Sequence, residues 1–76
     1  MNKQRRKELE KLRDQLMDLQ TSLEEIKDEE QECYDNLPEG IQCSERGDAM
    51  TEAVEYMETA YDNIQEAIDN IEEAIG

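Results

Sequence analysis

Histidine, tryptophan and phenylalanine are absent from this 76-residue chain, and proline occurs once. Without histidine the usual nucleophile–base pairs cannot be assembled, and the Glu-x-x-His signature of di-iron bundles is missing. Without Phe or Trp, and with modest numbers of Leu, Ile and Val, the apolar payload is thin. A chain this short sits near the lower limit for a single core, and borrows stability from disulfides, metal or self-association. Its 3 glycines include no Gly-rich phosphate loop, which removes nucleotide binding of the common kind. The acidic run "EEIKDEEQE" lacks the glycine-bearing loop of a calcium hand and reads as a solvated helix face. The expectation is a non-enzymatic protein with no metal, no cofactor and no catalytic residue.

Basic charge is scarce and unevenly placed. There are 22 carboxylates against 8 Lys and Arg, for a net charge of −14. Lys3, Arg5, Arg6, Lys7, Lys11 and Arg13 crowd the start of the chain, and beyond them only Lys27 and Arg46 are basic. Such a surface is repelled by nucleic acid and by anionic lipid. Apolar residues nowhere run long enough to span a bilayer, and "MNKQRRKELEKL" has no apolar core of signal-peptide length. A cytoplasmic location, without membrane or direct nucleic-acid contact, is expected. The two cysteines in a reducing compartment are then free thiols: Cys33 a small buried hydrophobe, Cys43 in the bend, where a bridge to Cys33 is geometrically conceivable.

What the chain does have is periodicity. A charged fraction of 39% would permit disorder, but the apolar spacing is regular. Leu9, Leu12, Leu16, Leu19, Leu23, Ile26, Cys33 and Leu37 follow alternating three- and four-residue steps, a heptad seam interrupted only at Glu30. Glu30 either sets register as a buried polar residue or pairs with Lys27, and the pairing is preferred. In the second half "AVEYMET AYDNIQE AIDNIEE AIG" is a direct seven-residue repeat. Val54, Tyr61, Ile68 and Ile75 hold one column, and Met50, Met57, Ile64 and Ile71 the next. Ala53, Ala60, Ala67 and Ala74 form a third, making a wider stripe than two helices need.

Between the strips, Leu37-Pro38-Glu39-Gly40 has the chemistry of a type I turn. Pro38 ends the first helix, and Ser44 caps the second, with Asp48 the alternative that would leave Gly47 outside it. The expected fold is all-α: one antiparallel two-helix hairpin, coiled-coil-like, with helices at about 3–36 and 45–75 and a bend at 37–44. In that hairpin Cys33 meets Met50, Ile26 meets Met57, Leu19 meets Ile64 and Leu12 meets Ile71. Lys7, Lys11 and Arg13 come beside Asp69, Glu72 and Glu73. The alanine column permits close helix contact, so two hairpins are expected to pair through Ala53, Ala60, Ala67 and Ala74 as a homodimeric four-helix bundle. The alternative is a monomer whose alanines reflect helix propensity alone.

At the bend, Asp35-Asn36-Leu37-Pro38-Glu39, Ile41-Gln42 and Ser44-Glu45-Arg46 resemble a group of small acidic proteins of unassigned function from Gram-positive bacteria and their phages or mobile elements. The likeness extends to Ala67-Ile68-Asp69-Asn70-Ile71-Glu72-Glu73-Ala74-Ile75. It implies a small accessory protein that binds and inhibits a host or antiviral-defence protein. From the residues themselves, Leu37, Pro38, Glu39, Ile41 and Arg46 offer contacts at the bend, against the alternative that Leu37 and Ile41 plug the bundle end. Tyr34 and Tyr56 lie off the seam, as packing cover or as contact residues. Arg46-Gly47-Asp48 spells an integrin-type tripeptide but reads as a helix start. A second possibility is nucleic-acid mimicry by an acidic face of Glu52, Glu55, Asp62, Glu66, Asp69 and Glu73, against the plainer reading that any soluble helix has a charged face. A third is a purely structural oligomerisation module.

Overall fold

Asn2 opens the first helix, its side-chain oxygen accepting the Arg5 amide at 2.8 Å and satisfying one of the donors a helix start leaves free. In the computed structural model, which describes all 76 residues, three helices follow. They are α1 (Lys3–Asp35), α2 (Glu39–Gln42) and α3 (Glu45–Ile75). The two long helices lie antiparallel in a rod of 58 × 14 × 12 Å, as the paired strips predict. Helix bounds agree with the expected ones to within a residue or so.

The bend differs from the expected type I turn. Such a turn needs Pro38 at ψ near −30°, whereas Pro38 is extended, with φ −58° and ψ 145°. Its carbonyl instead accepts the amides of Ile41 and Gln42 at 2.9 and 3.0 Å, starting the single turn of α2. The reason lies at the end of α1, where the last carbonyls need donors. The Gln42 side chain supplies one, its Nε2 donating to the Tyr34 carbonyl at 2.9 Å. The Leu37 amide donates to the same carbonyl at 3.0 Å. Ser44 occupies the cap position of α3 in extended conformation, but its hydroxyl donates back to the Ile41 carbonyl rather than capping α3.

Gly47 lies inside α3 and is buried, so the alternative start at Asp48 is excluded. A helix-interior glycine costs about 1 kcal/mol relative to alanine, and here the cost has a structural cause. A Cβ on Gly47 would fall 2.0 Å from the Gln42 carbonyl oxygen and 2.7 Å from that of Ile41. The end of α2 is seated directly on the start of α3.

The α3 strip faces α1 as predicted, and Val54 and Ile68 are the two buried apolar residues of the hairpin. The α1 strip does not. Labelling heptad positions by letter, the inward columns of α1 are d (Leu9, Leu16, Leu23, Glu30) and a (Arg13, Gln20, Lys27, Tyr34), all buried or half-buried. The expected partners of that d column, Leu12, Leu19, Ile26 and Cys33, form column g and are exposed. This corrects the expected meetings of Cys33, Ile26, Leu19 and Leu12 with Met50, Met57, Ile64 and Ile71 across the seam, and the buried thiol. The axial register is nonetheless as expected. Gln20 Nε2 donates to Gln65 Oε1 at 2.9 Å and to the Tyr61 carbonyl at 3.4 Å, partners that bracket the level predicted for that turn.

Two effects make the rotated seam tolerable. Gln20 is only 7% exposed but its Nε2 donates twice, and Gln65 passes the chain on to Asp69 at 3.0 Å, so no buried polar side-chain atom is orphaned. Arg13 and Lys27 sit half-buried at the seam, their side chains 29% and 24% exposed, long enough for an apolar stem to cover a neighbour while the charged head reaches water. Those heads pair with sequence neighbours, Arg13 with Asp14 at 3.3 Å and Lys27 with Asp28 at 3.8 Å. The expected Lys27–Glu30 pair is therefore replaced by Lys27–Asp28. Neither Lys7, Lys11 nor Arg13 closes an ion pair with Asp69, Glu72 or Glu73, since these are the molecule's two ion pairs within 4.0 Å. Exposed long side chains gain too little from such pairing to be held in place.

Gly47→Ala is expected to lower stability by about 1–3 kcal/mol, the usual cost of overpacking. Gly40→Ala, where an added Cβ meets nothing within 4 Å, is expected to be neutral or to gain up to about 1 kcal/mol. Thermal unfolding of both variants at one protein concentration checks this. A Gly47→Ala midpoint equal to wild type would show that α2 does not press on α3.

Candidate protein-docking face

The residues missing from the seam gather on one flank. In an antiparallel helix pair the two g columns fall on the same side, and the e columns on the other. The Gln20–Gln65 bond joins an a residue of α1 to an e residue of α3 on the e flank. The g flank therefore carries Leu12, Leu19, Ile26 and Cys33 from α1 beside Ala53, Ala60, Ala67 and Ala74 from α3. Leu12, Leu19 and Ile26 are 50%, 61% and 55% exposed. Ala53 and Ala74 are exposed, Ala60 and Ala67 half-buried. Behind them, Leu16, Leu23, Met57, Ile64 and Ile71 are only half covered.

The result is an apolar strip running most of the length of the rod. Helices of 33 and 31 residues, at 1.5 Å per residue and 8–10 Å apart, present a face of roughly 400–500 Å². Single exposed apolar residues are ordinary, but a continuous strip larger than a few hundred Å² marks an interaction site. The signal that could have located it from the sequence is polar: Arg13, Gln20 and Lys27 recur every seven residues beside the leucines.

The bend residues stand apart from this strip, at the closed end of the hairpin. Pro38, Glu39 and Arg46 are exposed, Ile41 is 37% exposed and Leu37 half-buried. Leu37 is thus partly covered at the hairpin end, and Ile41 keeps little more than a third of its surface in water. Arg46-Gly47-Asp48 lies in the first turns of α3 with its glycine buried, as a helix start. The two tyrosines left open by the sequence border the same groove. Tyr34, half-buried, and Tyr56, 68% exposed, line one open groove of about 680 Å³ with Asp48, Glu52 and Glu55.

The outer columns of α3 hold Glu52, Glu55, Asp62, Glu66, Asp69 and Glu73, all exposed. None of them forms an ion pair. The hairpin is thus apolar on one flank and anionic along the outer face of α3, with its basic residues gathered at the start of α1. Cys33 and Cys43 are exposed free thiols, and no cluster of three or more Cys, Asp or Glu converges to hold a metal ion. No helix is long and apolar enough to cross a membrane. Comparison with protein families, with curated proteins and with solved structures finds no match for this chain.

So many unpaired carboxylates repel one another, and salt screens that repulsion while having only two ion pairs to weaken. The thermal midpoint is expected to rise by several degrees between about 10 mM and 300 mM sodium chloride, where the Debye length falls from about 30 Å to below 8 Å. A midpoint that falls with salt would mean that attractive pairs dominate instead.

Proposed function

We propose that this chain is a non-catalytic protein-binding module that works as a homodimer. Two hairpins join through the g flanks into a four-helix bundle, and the bundle presents its bends and acidic outer faces to a protein partner. One observation carries the reading: the Leu12–Leu19–Ile26 ladder is at least half exposed and shares its flank with the alanine column. Two such flanks, at roughly 400–500 Å² each, together approach the about 1,000 Å² that a specific interface needs. Ala53, Ala60, Ala67 and Ala74 let a second pair of helices come close, while the leucines supply apolar area. The thin core points the same way, since a chain with two buried apolar residues gains its missing burial by self-association.

The bend is the site assigned to the further partner. Pro38, Glu39, Ile41 and Arg46 are exposed on a backbone fixed by Gln42 and Gly47, and Tyr34 and Tyr56 line a groove nearby. The resemblance at Asp35–Glu39 and Ser44–Arg46 makes a host or antiviral-defence protein of a bacterium the class of partner we propose for it.

Light scattering or sedimentation is expected to return twice the chain mass of 8.9 kDa. Leu19→Glu is expected to weaken self-association at least about 100-fold, because a lone charge buried in an apolar interface costs several kcal/mol. Asp62→Lys, on the outer face, is expected to leave the mass unchanged. Wild-type protein that stays at 8.9 kDa at high micromolar concentration would refute the homodimer. For the bend, a Pro38→Ala/Ile41→Ala variant that keeps its helicity is expected to lose recovery of the partner from host extract, and equal recovery would remove the bend from the proposal.

A further inference from the structure

We infer that the two hairpins pair head to tail, the bend of each lying beside the chain ends of the other. This rests on the homodimer proposed above and adds its direction. A two-fold axis in the plane of the g flank has two choices. Parallel to the rod, it stacks α1 on the partner's α3 and brings both bends to one end. Perpendicular to the rod, it stacks α1 on the partner's α1 and α3 on the partner's α3, and sends the bends to opposite ends. Both choices cover the apolar strip, so sterics leave the direction open. Charge decides it.

The closed half of the hairpin, residues 20–63, holds fourteen of the 22 carboxylates against Lys27 and Arg46 alone, a net charge of −12. The open half, residues 1–19 and 64–76, holds the other eight carboxylates against six basic side chains, a net charge of −2. Parallel pairing sets −12 against −12 across helices about 8–10 Å apart, within or close to the Debye length at physiological salt. Head-to-tail pairing sets −12 against −2 at each end.

The contrast sharpens along α1, which meets its own mate only in the head-to-tail arrangement. Residues 3–18 carry six basic groups and four acidic ones, while residues 20–35 carry Lys27 against seven carboxylates. Each basic arm then lies over the acidic stretch of the partner's α1, twice per dimer by symmetry. The interface columns suit this pairing. Arg5, Leu12, Leu19, Ile26 and Cys33 are spaced evenly about Leu19, so an α1–α1 contact near that residue sets Leu12 toward Ile26 and Arg5 toward the acidic end. On the other side the same axis falls level with Ile64, midway between Ala60 and Ala67, so Ala60 is set toward Ala67 and Ala53 toward Ala74 of the second copy. The arrangement has a functional consequence: the bundle displays one bend at each end of a rod, as a two-headed ligand.

The test uses the full chain with Cys33→Ala, which keeps that flank position apolar and is used once sedimentation gives it the wild-type mass, and it leaves Cys43 in the bend as the one thiol for a nitroxide spin label. Head-to-tail pairing places the two labels nearly a rod length apart, against a long dimension of 58 Å, so dipolar spectroscopy is expected to read a distance of about 45–55 Å at 1.5 Å per helical residue. A dimer by mass with labels within about 25 Å, two to three helix spacings, overturns the direction and leaves the docking flank standing. A labelled chain that is monomeric by sedimentation, together with monomeric wild type, overturns both.

Discussion

Two helices share one seam, and one seam can cover only two columns of side chains on each helix. The rest of this structure depends on that limit. The α3 repeat supplies three apolar columns, and α1 supplies two that sit to one side of the seam's centre. A hairpin cannot hide all five. It places Val54 and Ile68 at the centre, keeps Leu9, Leu16 and Leu23 at the edge, and leaves Leu12, Leu19, Ile26 and the alanines along one flank. The remaining seam position of α1 is filled by side chains with another use for it. Arg13 and Lys27 bring stems, and Gln20 brings a bonded amide that locks the level of one helix against the other.

Charge works against the same compactness. At net −14 the chain repels itself, and its two ion pairs both join neighbours in sequence rather than the two arms. The arms are held by apolar burial and by the Gln20–Gln65–Asp69 relay, while electrostatics acts between whole halves of the rod. That separation of roles gives the acidic faces freedom to remain solvated, and in the dimer we propose it gives the uneven placement of basic residues a meaning.

The bend shows how local chemistry and packing divide the work. Pro38 was readable as the end of the first helix, because a proline restricts the residue before it and cannot continue the ladder. That it would open a one-turn helix was not readable, since the choice rests on Gln42 reaching back to the Tyr34 carbonyl. Gly47 is a similar case. Helix propensity argues for leaving it outside α3, and only the proximity of the Gln42 and Ile41 carbonyls explains why it is inside and why it is glycine. That Tyr34 and Tyr56 line one groove was likewise invisible, because they are 22 positions apart in sequence and share that groove only through the fold.

The sequence by itself determined the helices, the break at Pro38, the antiparallel level of the two arms and the α3 columns that face inward. All of these follow from heptad spacing and from the constant separation a hairpin imposes. Only the tertiary structure decided how α1 is rotated about its own axis. Its leucines span columns d and g, and either a d/g or an a/d seam would satisfy the spacing. Covering the a position of α3 with the stems of Arg13 and Lys27 and the amide of Gln20 settles the choice, and a pattern of apolar residues alone does not register what a long polar side chain can cover.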